Sequence, residues 1–145
     1  MNAQLTNTTL VDDYYDDRPT VYFAMGSEDL RALRAWAKTQ PAPDLQSPIL
    51  ANKYRCGAQG GLTAVGLGFG FLYPGAEPLE RAWTDATGTV WRWDDDEMLG
   101  VARHIDGTQV ELAGDSRDYV DYPDEEMAAF ASGMLDGIIA CGWTA

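Results

Sequence analysis

A single histidine, His104, and two cysteines, Cys56 and Cys141, are the residues from which a nucleophile, its base or a soft metal site would have to be built. Zinc wants Cys and His in closely spaced pairs. Here no cysteine lies near His104, and the two cysteines stand far apart in the chain. A reactive thiolate needs a basic neighbour, and only Arg55, beside Cys56, offers one. A Cys56–His104–Asp arrangement can be written down, but combinations of that kind arise by chance in most chains. The thiols read as buried or half-buried side chains with no spacing that argues for a disulfide. His104 reads as a strand residue facing solvent or a hydrogen-bond partner.

The carboxylates are more numerous and no more diagnostic. Among twenty-three acidic residues, pairs suited to glycoside chemistry are easy to nominate and so carry no information. Asp94-Asp95-Asp96-Glu97 opens like a calcium loop and then departs from one. Gly100 comes seventh rather than sixth, and Ile105 stands at the twelfth place, where a glutamate is needed. Gly66, Gly68 and Gly70 form no nucleotide-binding loop, because the Gly-x-Gly-x-x-Gly and Gly-Lys-Ser/Thr patterns are both missing from that stretch. The expectation is a protein that is not an enzyme and takes no cofactor and no metal.

Charge points to a class of partner. Ten basic residues against twenty-three acidic ones leave −13, which repels a nucleic-acid backbone and an anionic membrane and so excludes direct docking on either by bulk charge. The excess is uneven. Residues 1–84 carry nine acids and seven bases, a balance of −2, whereas residues 85–145 carry fourteen acids and three bases, a balance of −11. The bland reading is an acidic surface that serves solubility. The sharper one notes that alternate residues of a strand lie about 6.7 Å apart on one face, so carboxylates there imitate a row of phosphates. A protein of that kind is steered to a basic surface and needs no active site of its own.

The expected function is therefore a non-catalytic acidic inhibitor that binds and blocks a basic, nucleic-acid-handling protein such as a nuclease. In class, though in no motif, this resembles phage anti-defence proteins, anti-CRISPR proteins among them, and immunity proteins that guard against nuclease toxins. The expected carriers are Asp94, Asp95, Asp96 and Glu97, supported by Asp115, Asp118 and Asp121. A second group is Asp12, Asp13, Tyr14, Tyr15, Asp16 and Asp17. Two alternatives stand beside this one. The first is a self-associating structural or scaffold protein, a homodimer through the last helix, whose supposed outer face (Ala129, Ser132, Gly133, Asp136, Ala140) carries one charge and would be poorly solvated. The second is a small enzyme of unknown type.

These residues must be positioned by a single domain, since 145 residues with 46% apolar and 11% aromatic content can bury one core. No apolar run approaches the roughly 20 residues of a membrane span. Met1-Asn2-Ala3-Gln4 lacks the basic and apolar regions of a signal peptide, so the expected compartment is the cytoplasm, the host's if the protein is phage-encoded. Residues 1–19 read as a flexible acidic segment, and residues 20–145 as one α+β domain. Thr20–Met25 reads as a strand. A helix follows from a Ser27 cap, with Leu30, Leu33, Trp36 and Ala37 on one face and a solvated stripe of Arg31, Arg34 and Lys38 on another, stopped by Pro41 and Pro43.

Residues 41–61 read as a loop, and 62–73 as a strand whose glycine face (Gly66, Gly68, Gly70) receives a helix or a Trp ring, with the small edge of the last helix (Gly133, Gly137) in mutual approach. Gly88–Trp93, Met98–Ile105, Thr108–Leu112 and Arg117–Tyr122 read as further strands, with a hairpin turn at Asp106-Gly107. The last helix is capped by Asp124, buries Met127, Phe130, Ala131, Met134, Leu135, Ile138 and Cys141, and ends at Gly142. The sum is α+β: a single antiparallel twisted sheet of about five or six strands with two helices packed on it.

Overall fold

A computed structural model describes residues 27–68, 76–96, 99–112 and 123–144. Among them are three helices, α1 (Ser27–Lys38), α2 (Pro48–Leu67) and α3 (Asp124–Ala140), and three strands, β1 (Trp83–Thr84), β2 (Thr89–Asp94) and β3 (Leu99–His104). The strands form one antiparallel sheet in the order β1-β2-β3, with Trp83 opposite Trp91 and Trp91 opposite Ala102. The class is α+β, as the sequence suggests, but with a three-stranded sheet and a third helix where five or six strands and two helices are expected. The expected strands Thr20–Met25 and Arg117–Tyr122 lie outside the described residues. Thr108–Leu112 is reduced to one bridge, Gln109 to Arg103, beyond the predicted turn, in which Gly107 has φ +89°. No described helix is long and apolar enough to cross a membrane.

The third helix is the main correction. Residues 48–67, read as loop and strand, form α2. Ser47 caps it, accepting the Leu50 N–H at 3.4 Å, and Pro48 opens its first turn, where a missing N–H costs nothing. Gly57, Gly60, Gly61 and Gly66 each cost a helix about 1 kcal/mol relative to alanine. At Gly57 and Gly61 the compensation comes from α3. A Cβ on Gly57 would collide with the Phe130 carbonyl oxygen, and one on Gly61 would stand 2.6 Å from that of Met134. From the other side, a Cβ on Gly133 would collide with the Tyr54 carbonyl oxygen. Small residues spaced by four thus let the two backbones touch. Because the contacts advance together, Gly57 to Phe130 and Gly61 to Met134, α2 and α3 run in the same direction.

That pairing takes up part of the supposed outer face of the last helix. Ala129 and Gly133 are buried, and Gly133 lies on Tyr54 and Ala58 of α2. Ser132, Asp136 and Ala140 of the same face stay half-exposed, so α2 covers only part of the face on which a homodimer is expected. The predicted inner face is as expected: Met127, Phe130, Ala131, Met134, Leu135, Ile138 and Cys141 are all in the core. Asp124 is the first helical residue rather than the cap. Pro123 precedes it without a side-chain cap, and Asp124, Glu125 and Glu126 place negative charge at the positive end of the helix dipole.

The Gly66–Gly70 expectation is met in part. The Trp93 ring lies directly against Gly66, where a Cβ would overlap it. Gly68 instead ends α2 with φ +72° and open space around it, and Gly70 lies outside the described residues. Leu30 and Leu33 of α1 are fully buried, and Arg31 and Lys38 are exposed as the amphipathic pattern requires. The core joins these leucines to Ala58, Leu62 and Val65 of α2, the α3 face, and Trp91 of β2.

Candidate functional site

Asp94 ends β2, and Asp95 and Asp96 form the exposed turn toward β3. The turn is held by the Asp94 carboxylate, which accepts the Asp96 N–H at 3.0 Å. The structure therefore brings these three expected carriers together on one loop. Glu97, Asp115, Asp118, Asp121 and the Asp12–Asp17 group with its two tyrosines lie outside the described residues. Further exposed acids are Asp106 in the β3 turn, Glu111, and Asp124 and Glu125 at the start of α3. Asp106 accepts the Thr108 N–H at 2.9 Å, and hydrogen bonding by Thr108 holds its carboxyl below the usual range.

Among the described acids of the same excess, Asp85 is buried and Asp136 and Glu126 are half-buried. Asp85 is 6% exposed. Its Oδ1 accepts the Thr87 N–H at 2.7 Å, the Thr87 hydroxyl at 2.6 Å and the Thr89 N–H at 3.1 Å, while its Oδ2 accepts the Trp91 Nε1–H at 2.8 Å. Four donors solvate the carboxylate and close the turn between β1 and β2, in which Gly88 takes φ +84°. The sequence carries a local sign of this, an Asp followed two residues on by Thr and three on by Gly, the pattern of an Asx turn.

Asp136 is different. It sits half-buried on α3 and accepts the Tyr54 hydroxyl from α2 at 2.5 Å, and the same Tyr54 oxygen receives the Ala86 N–H at 3.4 Å. Burial raises the Asp136 carboxyl above its ordinary range; the Tyr54 bond opposes that rise and the Asp85 charge adds to it. Tyr54 is raised too, by burial first and then by its bond to Asp136, so the shared proton stays on the phenol. The pair forms the floor of an open cavity of about 660 Å³ between α2, α3 and the segment from Glu77 to Ala86. A second opening of about 430 Å³, on the α1 side, shares Tyr54, Ala86, Asp136 and Ile139 with the first. The sequence places Asp136 only on a helix face and does not mark Tyr54.

Of the two cysteines and the histidine, Cys141 lines this cavity. Burial raises both thiols, Cys141 to about 12, and Lys53 and Arg55 only partly oppose the rise at Cys56. Neither has the lowered value of a nucleophile. His104 ends β3, exposed, with Nδ1 3.6 Å from Asp106. Lys53, buried on α2, stands 3.8 Å from Glu126. Among the described residues no group of three His, Cys, Asp or Glu is placed to hold a metal ion. Compared with protein families, curated proteins and solved structures, the chain matches none.

Proposed function

We propose that the protein is a non-catalytic acidic binding protein that engages and blocks a basic, nucleic-acid-handling protein. The observation that carries the reading is the turn at Asp94, Asp95 and Asp96, where adjacent carboxylates stand at the exposed end of a strand pair within the half of the chain whose balance is −11. Single exposed charge pairs are worth under about 1 kcal/mol, so the field of the group, not any one contact, would steer the encounter. A proposed inhibitor of this kind acts in the cytoplasm of the cell that holds its target.

The test begins with capture of a partner from cells carrying a nuclease or defence system, followed by association kinetics with that partner purified. A block of Asp94→Asn, Asp95→Asn, Asp96→Asn and Glu97→Gln leaves the fold intact and slows association several-fold. Raising salt has the same effect on the unaltered protein, since exposed charges are screened beyond about 8 Å at physiological ionic strength. An affinity that responds to neither salt nor the block refutes the reading and leaves a partner held by apolar contact.

A further inference from the structure

We propose that the cavity floored by Asp136 and Tyr54 binds an organic cation, an ammonium or guanidinium group, a site that stands independently of the acidic turn. The buried Asp85 and the half-buried Asp136 differ in how fully they are hydrogen-bonded. Asp85 is saturated by four donors. Asp136 accepts one hydrogen bond among the described residues, from Tyr54, and otherwise faces the cavity. A half-buried carboxylate with a single protein donor keeps acceptor capacity directed at the cavity, where a ligand's N–H groups can reach it. A cation with N–H donors supplies a counter-charge and further hydrogen bonds there.

The walls agree with the floor. Glu77 and Glu80 line the cavity with Asp85 and Asp136, against one base, Arg81, which is exposed. Trp83 lines it as well, half-buried, and offers an aromatic face of the kind that attracts cations in partly dry sites. The α1 opening carries Arg34 and Lys38, so a cation is repelled there and enters from the side of Glu77 and Glu80. One chemistry serves two sources, a free alkylamine or guanidine, and a lysine or arginine side chain of a protein.

Titration with agmatine, which bears both a guanidinium and an ammonium, and separately with a short arginine-containing peptide, tests this by calorimetry and by NMR shifts at the Trp83 and Tyr54 rings. Both probes are expected to bind, and the tighter of the two identifies the source. Asp136→Asn keeps an acceptor for the Tyr54 hydroxyl while removing the charge, and should weaken binding by about tenfold or more, the loss of one charged hydrogen bond. Ala140→Lys is the second variant. It stands one helical turn beyond Asp136 and lines the same cavity, so its ammonium occupies the site in cis and should abolish probe binding while raising the melting temperature. Binding should also fade on acidification from a higher pH than an ordinary carboxylate would give, with Glu77, Glu80, Asp85 and Arg81 as the other charges at the cavity. The quadruple change at Asp94–Glu97 should leave the titration unaltered, which separates this site from the proposed function. Absence of binding by both probes, or equal binding by the folded Asp136→Asn and Ala140→Lys variants, overturns the proposal.

Discussion

Replacing Gly133 by alanine adds one methyl group at the closest approach of α2 and α3. The new carbon would overlap the Tyr54 carbonyl oxygen and stand 2.7 Å from the Tyr54 carbonyl carbon and 3.0 Å from the Ala58 nitrogen. All three are backbone atoms of a helix, so no side chain can turn aside. Ordinary contact lies at about 3.5–4.0 Å, and the helices must part by roughly 1.5 Å or more to reach it. In an exposed helix the same change gains about 1 kcal/mol. Overfilling a packed interior costs about 1–3 kcal/mol, and with backbone on both sides the upper end of that range applies. The net expectation is a loss of about 2 kcal/mol, or about 6 °C in melting temperature at roughly 3 °C per kcal/mol for a domain of this size. The neighbouring glycines grade the effect. Gly57→Ala meets the Phe130 oxygen as severely, Gly61→Ala meets Met134 O at 2.6 Å, and Gly137→Ala meets Ala58 O at 3.0 Å with its next contacts at 3.5 Å. The loss should therefore fall in that order, reaching near cancellation with the propensity gain at Gly137. Urea and thermal melts followed by far-UV circular dichroism measure it. A Gly133→Ala protein as stable as the parent, or a series in which Gly137→Ala is the worst, refutes the backbone contact between α2 and α3.

Trp91→Phe removes the indole N–H that reaches Asp85 Oδ2 at 2.8 Å and leaves a buried carboxylate with donors on one oxygen only; the expected cost is about 2 kcal/mol in denaturant melts, and a loss too small to resolve would deny that this bond holds the β1–β2 turn. At Asp136 the raised carboxyl means that the folded state binds its proton more tightly than the unfolded state, so its contribution favours folding at acid pH and is lost as pH rises from the ordinary 3.8 through the raised folded value. Asp136→Asn should therefore gain stability relative to the parent across that rise, and a stability difference flat with pH would contradict it.

What the sequence discloses about this fold depends on how far each compensation lies along the chain. The face of α3 is legible because its apolar residues repeat with the period of a helix and the core answers every one of them. β2 and β3 are legible because Trp91 and Trp93 alternate with Arg92, and a turn chemistry of Asp-Gly follows. α2 is not, since its glycines read locally as breakers, and the residues that fill the space beside Gly57 and Gly61, Phe130 and Met134, come some seventy positions later. The same distance hides the floor of the cavity. Tyr54 and Asp136 are 82 residues apart, and neither has a neighbour in sequence that marks it. Asp94, Asp95 and Asp96 could be found because a turn gathers residues that are already adjacent. This difference also corrects the charge itself. Of the acids that give the second half of the chain its −11, Asp85 is enclosed by its own donors and Asp136 is half-buried under Tyr54. Asp85 serves the β1–β2 turn, Asp136 lines the cavity, and the half-buried Glu126 stands beside Lys53, so among the described residues any electrostatic steering rests on the exposed acids, of which the Asp94–Asp96 turn is the most concentrated group.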